Sequence, residues 1–447
     1  MNNQIIRKSI LPCLILVLFF NNIIVGQINI DTKVNASTDS LTLKNVIDRV
    51  VASYPSVMVA KETINNADAR IGLAKTNYNP VVDLTASFAN LAPVIKFTFP
   101  ELGTFQLYPN NNYSASINYE QLVYDFGRTR QNIELENANK AVGEKTLEQV
   151  KQQLSLFTVN NFYNLVFLQT AIKIKDEELD ALNEHLQYIE KMMATGSATE
   201  YQVLSTKVKI STVESQKVDL GASLISQQAS LNSLLGNDQV TNPVVKNELF
   251  IDPPVIPSDS ILSYAFHNRD EVLINEKKTS LAELRYDLTK LQNKPLLSFE
   301  ASAGAKNGYI PDLNKFTPNY VLGLGLRVPL FDGMKNKYNL SQAQSAITSL
   351  SYESEFTKRK ISNEVYEAEA YMFAAKKKIS QFELQLRQAL KAFSLAETSF
   401  RSGVITNLDL LDASTAVSES RLNLLKSRID YAASVYKLKA ALGERIY

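Results

Sequence analysis

The sequence has almost none of the residues on which metal clusters, disulfides and nucleophilic catalysis depend. Among 447 residues there is one cysteine, Cys13, and there are two histidines, His185 and His267. This scarcity excludes zinc clusters, disulfide frameworks and cysteine nucleophiles, and it leaves little histidine for acid–base chemistry. We interpret both histidines as structural or solvent-facing, and we predict a protein that is not an enzyme and has no catalytic, metal or cofactor site.

The sequence also lacks an excess of charge of one sign. It has 47 lysines and arginines against 46 aspartates and glutamates. A nucleic-acid partner is therefore not expected, because no basic surplus is present to neutralise phosphates. Beyond the N-terminal segment there is no stretch of 18 apolar residues, so a membrane crossing by this chain would need β-strands.

The first 26 residues have the pattern of an export signal. Arg7 and Lys8 precede a short apolar run at 10–20, and Gly26 stands before Gln27. A positive start, an apolar run of this length and a small residue at the junction are typical of a secretory signal peptide. We therefore predict that residues 1–26 are a signal peptide and that the fold begins after them.

The rest of the sequence contains an internal repeat. Three pairs of matching residues are each 207 positions apart: Gly196 and Gly403, Gly236 and Gly443, Asp125 and Asp332. Upstream, Pro80 and Pro295 are 215 apart, which places about eight extra residues of the first copy between Pro80 and Asp125. This internal symmetry predicts one structural repeat at 27–236, a linker or equatorial region at 237–260 and a second repeat at 261–447.

Each repeat is predicted to contain a helix, two strands, a long helix and a return helix. The first copy begins with a helix over 41–77, which Pro80 ends. Alternating apolar and polar residues, about ten at a time, are typical of membrane-crossing strands, whereas 91–112 and 306–318 are rich in turn residues and predict loops. The strands are expected at about 81–90, 113–122, 296–304 and 320–328, the long helices at 128–195 and 335–402, and the return helices at 199–235 and 406–442.

The turns between long and return helices carry recognisable capping signals. Gly196 and Gly403 are predicted to adopt the left-handed conformation that closes a helix. Thr199 with Gln202, and Thr406 with Asp409, have the spacing of capping boxes that start the next helix. Apolar residues of the long helices follow coiled-coil spacing.

Four strands are too few to close a sheet within one chain. Filled barrels start near eight strands, and open edges in lipid leave backbone groups unpaired at several kcal/mol each. The sheet is therefore expected to be shared between copies. Glu120, Glu300 and Arg327 fall on the polar strand faces, which favours a position in the lumen.

The order of elements, the twofold repeat and the local motifs resemble the TolC-like outer-membrane efflux and secretion channel family. The motifs are Tyr-Asp-Phe-Gly at 124–127, Phe-Asp-Gly at 331–333 and Gly-x-x-Thr-x-x-Asp-Leu-Leu-Asp-Ala at 403–413. The resemblance implies a mainly α-helical, two-repeat fold assembled as a homotrimer. Its 12-stranded β-barrel would lie in the outer membrane of a Gram-negative bacterium, in contact with lipid, and would continue into an α-helical coiled-coil tunnel in the periplasm.

The resemblance also implies a function and partners. It predicts the exit duct of a tripartite efflux pump or type I secretion system, with passive transport of substrates. The tip would dock with a periplasmic adaptor (a membrane fusion protein) and with an inner-membrane pump or ABC transporter. Two alternatives remain open: a periplasmic coiled-coil adaptor or structural protein without a pore, which leaves the strands unused, and an exported enzyme acting through paired carboxylates.

The family's closed tip is often held by an arginine, an aspartate and a tyrosine, and this sequence departs from that pattern. Ile405 stands where the arginine would be, and Gln202 and Phe400 replace the aspartate and tyrosine. We therefore expect the closed state to be held by packing of Phe400 and Ile405. Asp409 and Asp412 are three residues apart, and we predict that they line the entrance as a cation-attracting gate; the alternative is a helix cap with a solvated neighbour.

Overall fold

The computed structural model describes residues 41–101, 103–239, 241–249, 251–254 and 260–447. The predicted signal peptide at 1–26, including Cys13, lies outside these residues. Within them, helices and strands alternate in two blocks of similar order. The helices are α1 (Leu43–Ser53), α2 (Pro55–Thr76), α3 (Arg128–Ala194), α4 (Glu200–Leu235), α5 (Ile261–Asn268), α6 (Asp270–Leu291), α7 (Lys335–Arg401) and α8 (Asn407–Ala441).

In the part of the chain that the structure describes, six strands form two separate antiparallel sheets. They are β1 (Val81–Asn90), β2 (Lys96–Phe99), β3 (Gly103–Gln106), β4 (Asn111–Tyr124), β5 (Leu296–Lys306) and β6 (Thr317–Arg327). The larger sheet has the order β1-β4-β5-β6, and the smaller one is the hairpin β2-β3. Among the described residues β1 pairs only with β4 and β6 only with β5, so no described strand covers either edge of the larger sheet.

The prediction of one helix over 41–77 is wrong. The chain breaks at Tyr54, whose backbone is extended with ψ 135°, and α2 begins at Pro55. The reason is Pro55 itself, because a proline pushes the preceding residue out of the helical region and is well tolerated at the first position of a new helix.

The prediction of a loop throughout 91–112 is also wrong. This segment contains the hairpin β2-β3, in which Phe97 lies opposite Phe105 and Phe99 opposite Gly103. The hairpin lies in the region to which the repeat comparison assigned the extra length of the first copy. Alternating aromatic and threonine residues form a ribbon here because their side chains pair across it: the Phe99 and Phe105 ring centroids are 6.1 Å apart.

The register of the larger sheet separates polar from apolar side chains. Glu120 lies opposite Glu300, and Glu300 opposite Gly323. Since residues opposite each other share a face and the side-chain period is two, one face carries the acidic, serine and glycine residues while the other carries residues such as Leu324. The polar face is internally hydrogen-bonded, for example from Asn118 Nδ2 to Asp83 Oδ2 at 2.9 Å.

Each long helix begins at a buried or bonded aspartate of the repeated motif. Asp125 accepts hydrogen bonds from the backbone N–H groups of Gly127 and Thr129, at 3.0 and 2.6 Å. Asp332 accepts one from the Asn336 N–H at 2.8 Å. These carboxylates satisfy backbone donors that the first turn of a helix leaves free, which explains why α3 and α7 start here.

The main apolar core lies where α1, α3, α4 and α8 meet. Its largest fully buried side chains include Phe162, Tyr163 and Leu165 of α3. At 1.5 Å per residue, the 67 residues of α3 extend for about 100 Å. Among the described helices, none is both long and apolar enough to cross a bilayer.

Candidate functional site

The two tip turns have the predicted left-handed backbone. Gly196 has φ 77° and Gly403 has φ 69°. A side chain is strained in this region, so glycine is the residue that lets each helix end in a tight turn. The turns connect α3 to α4, the first helical hairpin, and α7 to α8, the second helical hairpin.

Both predicted capping boxes are present. The Gln202 side chain accepts from the Thr199 N–H at 2.9 Å, while Thr199 Oγ1 accepts from the Gln202 N–H. Asp409 accepts from the Thr406 N–H at 2.9 Å and from the Thr406 hydroxyl at 2.6 Å. Gln202 and Asp409 therefore have a local role as caps, whatever else they contact.

These hydrogen bonds also determine the charge of Asp409. Donation from the Thr406 hydroxyl, and then from its backbone N–H, holds the pKa of the exposed Asp409 carboxyl below its usual range. Since the carboxylate is the form that is bonded, its contribution to the cap is present at neutral pH and is lost only as the pH falls through that lowered pKa. Asp412, three residues on, is exposed.

An apolar cluster joins the two hairpins at the turns. This tip cluster consists of the buried residues Ile189, Val203, Phe400 and Leu410, with partly buried residues including Ile405 packed against it. Phe400 is 8% exposed. Phe400 and Ile405 thus belong to one apolar cluster; that their packing holds a closed state stays a prediction.

A polar node beside the tip cluster was missed by sequence reasoning. Asn407 is 2% exposed, and its Oδ1 lies 2.7 Å from His185 Nε2 on α3. The Asn407 Nδ2 donates to α4, at 3.2 Å to the Gln202 carbonyl, 3.2 Å to Ser205 Oγ and 3.1 Å to Thr206 Oγ1. His185 is thus a half-buried contact between the hairpins. The only sequence signal was an asparagine directly after the Thr406 cap.

The predicted lumen residues share one face of the larger sheet. Glu120 and Glu300 are directly opposite on β4 and β5, and Arg327 lies four residues along β6 from Gly323, the partner of Glu300. All three are exposed in the single chain. The 67-residue helices α3 and α7 lie between the strands and the tip turns. The structure therefore contains two separate sets of candidate residues, one on the strands and one at the helical tips.

No arrangement suited to metal-dependent chemistry is found among the described residues. Within that part of the chain, no group of three or more histidine, aspartate, glutamate or cysteine side chains is placed to hold a metal ion. His267 lies on α5, and its Nδ1 is 2.7 Å from the Ser263 carbonyl of the same helix.

Comparisons with known proteins agree with this geometry. Residues 46–237 and 262–444 match the family described as outer membrane efflux protein. The alkaline protease secretion protein AprF of Pseudomonas aeruginosa is 21% identical over 340 residues, covering 74% of this chain and 70% of AprF. The multidrug resistance outer membrane protein MdtQ of Escherichia coli O157:H7 is 24% identical over 421 residues, covering 86% of this chain and 80% of MdtQ.

A solved structure shows the same fold. The outer membrane protein VceC of Vibrio cholerae matches with a TM-score of 0.73 at 18% identity, over 91% of this chain and 97% of VceC. Its likeness concerns the fold, whereas the family match rests on the sequence of both repeats. The chain therefore belongs to the outer membrane efflux protein family and has a TolC-like fold.

Proposed function

We propose that this chain forms the outer-membrane exit duct of a tripartite efflux or type I secretion system, through which substrates pass without a chemical step. The observation that carries the proposal is the larger sheet: it has four strands, one polar face, one apolar face and two edges that no other described strand pairs with. In lipid such edges must pair, and three copies would supply twelve strands that enclose a polar lumen. The name of AprF supports secretion as a transport class, and the family description, outer membrane efflux protein, supports efflux.

Exposed apolar side chains on the helices also support self-association. The outward face of α4 exposes Tyr201, Val208 and Val218, at 71, 67 and 71%. The outward face of α7 exposes Tyr352 and Phe356, at 68 and 67%. Since α4 packs on α3, and this part of α7 is joined to α6 by bonds such as Asn275 to Thr357, the two apolar faces lie on different helical pairs and would be covered by neighbouring copies.

The proposal keeps the predicted division of the chain into two repeats and a region between them. Repeats at 27–236 and 261–447 would each supply two strands and one helical hairpin to the trimer, joined by the region 237–260. Val245, in that region, pairs in parallel with Leu41 beside α1. At the far end of the tunnel, the two helical hairpins would meet a periplasmic adaptor and, through it, an inner-membrane pump or ABC transporter.

We expect the purified protein to be a trimer that conducts ions. Chemical crosslinking in detergent should saturate at three subunits, because only closure of the sheet satisfies both edges. Reconstituted in planar bilayers, the same preparation should give discrete conductance steps. A stable monomer that remains soluble without detergent would contradict the proposal.

The gate is the second testable part of the proposal. Asp409 and Asp412 would supply six carboxylates at the tunnel entrance of a trimer, and such rings favour cations. The double variant Asp409→Asn and Asp412→Asn should lower the cation-over-anion permeability ratio severalfold. It should also relieve block by multivalent cations added from the periplasmic side, both effects being measured in planar bilayers.

Single variants distinguish a role of these aspartates in ion selectivity from a role in capping the helix. Asp412→Asn leaves the capping box intact and should produce part of the change in selectivity, whereas Asp409→Asn retains a side-chain oxygen for the Thr406 N–H. Unchanged selectivity and block in the double variant would mean that the two aspartates are a helix cap and a surface residue.

A further inference from the structure

The contact between the two helical hairpins contains a buried polar node with a defined hydrogen-bond direction. Thr206 Oγ1 and Ser205 Oγ both donate to the Gln202 carbonyl, at 2.8 and 3.0 Å. Because their hydrogens are directed at that carbonyl, both hydroxyls act as acceptors toward Asn407, as does the Gln202 carbonyl oxygen, which accepts only. The amide NH₂ of Asn407 must point toward α4, because the opposite orientation would place its oxygen against these acceptors.

This orientation fixes the role of His185. With the NH₂ group of Asn407 directed at α4, its Oδ1 is the atom that lies 2.7 Å from His185 Nε2. An oxygen of this kind only accepts, so Nε2 carries the hydrogen. The imidazole is held in place on its other side by Phe400, with ring centroids 5.5 Å apart at 65°. The node thus joins α3, α4 and the first turn of α8.

We propose that Asn407 and His185 are the lock that keeps the tip of the second helical hairpin against the first, in place of an ionic latch. This inference rests on the proposed channel function and adds to it the residues that resist opening. Asn407 is the first residue of α8, four positions after Gly403, so the hydrogen bonds act at the point where the tip turn enters the helix. For the tip of the second hairpin to move away, the Asn407 amide would have to leave all of its partners.

A lock built on a buried amide differs physically from an ionic latch between two charged side chains. The Asn407 amide and the Thr206 hydroxyl are buried, at 2% and 0% exposed, so separating them leaves polar groups unsatisfied until water enters. Bulk salt screens exposed charges over about 8–10 Å near physiological ionic strength, but it acts little on the amide, carbonyl and hydroxyl bonds between Asn407 and α4. The tip should therefore remain closed when the salt concentration is raised.

The lock is tested with two disruptive variants and one rescue. Asn407→Ala and His185→Ala each remove one side of the node and leave the Thr406–Asp409 cap in place. In planar bilayers of the assembled trimer, each should raise the fraction of time spent open about tenfold, which corresponds to about 1.4 kcal/mol. His185→Gln should remain close to wild type, because a glutamine amide can place an N–H donor near the position of Nε2.

Two control variants separate loss of the lock from loss of stability. Asn161 is also a buried asparagine, 5% exposed, but its Oδ1 accepts from Gln227 and Ser230 of α4, at 2.6 and 2.8 Å, within the first hairpin only. Asn161→Ala should therefore lower stability without changing gating. His267→Ala removes a histidine away from the tip and should change neither property.

Backbone amide exchange provides a second test of the lock that does not depend on channel conduction. Backbone amide exchange in residues 404–412 should accelerate about tenfold in Asn407→Ala and His185→Ala, but not in His185→Gln or in the controls. If that pattern is found while no preparation conducts, the lock stands and the channel proposal fails. If the wild type conducts but both alanine variants match it in gating and exchange, or if His185→Gln behaves like His185→Ala, the lock is refuted.

Discussion

Replacing Leu324 by arginine is expected to impair membrane assembly strongly. Leu324 is 71% exposed in the single chain and lies on the apolar face of β6, opposite Phe299. If that face meets lipid, an arginine there costs about 2–4 kcal/mol near the bilayer midplane. We expect a large drop in the fraction of protein recovered as folded trimer in outer-membrane fractions, measured by heat-modifiability and crosslinking.

The neighbouring position provides a matched control. Gly323 lies on the polar face opposite Glu300, and a Cβ added there meets no heavy atom within 4 Å. Gly323→Arg should therefore assemble normally, since its charge faces water and stands beside a carboxylate. Val321→Lys, on the same face, controls for any special need for glycine. If Gly323→Arg impaired assembly more than Leu324→Arg, the lipid-facing side would be the opposite one.

The buried ion pair on α3 should show the largest effect of a single side chain on helix packing. Lys175 Nζ lies 2.8 Å from Glu178 Oε2, and these side chains are only 7% and 4% exposed. Glu178 also accepts from the Ser418 hydroxyl on α8. Removing one partner leaves the other charge buried without its counter-ion, which costs about 3–5 kcal/mol. Lys175→Met and Glu178→Met should each lower the local unfolding free energy by that amount.

The double variant distinguishes a lost pair from a lost side chain. Lys175→Met with Glu178→Met leaves no buried charge, and apolar replacement of a buried pair is often neutral or stabilising, so much of the loss should be recovered. The measurement is native-state amide exchange of α3 around residue 175 and of α8 around residue 418. The exposed pair Arg130–Glu134, with side chains 81% and 44% exposed, is the control; Arg130→Met should cost less than about 1 kcal/mol. Equal losses in the single and double variants would contradict this account.

Local chemistry made most element boundaries predictable from sequence. The strand β1 has the predicted bounds, and the long helices α3 and α7 begin at 128 and 335 as expected. These boundaries depend on features that act within a few residues: period-two alternation, the aspartates at 125 and 332, and the capping threonines. Two local signals were misread. Pro55 was not treated as a helix start, and the aromatic alternation at 96–106 was not treated as a hairpin.

The candidate site was predictable only in part, for the same reason. The turns at Gly196 and Gly403 and the caps at Gln202 and Asp409 depend on neighbours three or four residues away, and the structure contains them. The partner of His185 is 222 residues away in the sequence. No periodicity connects a lone histidine to a lone asparagine at that separation, so the node became visible only when the two hairpins packed together.

The sequence by itself determined the repeated order of elements, the polar and apolar sides of each strand, and the positions where helices start and turn. Tertiary structure alone decided the strand order β1-β4-β5-β6, the opposition of Glu120 and Glu300, the burial of Lys175 with Glu178, and the node at Asn407. The physical reason is the distance along the chain over which each kind of interaction acts. Backbone conformation and capping respond to residues within one helical turn or strand pair, whereas burial and cross-hairpin hydrogen bonds depend on which distant surfaces exclude water from one another.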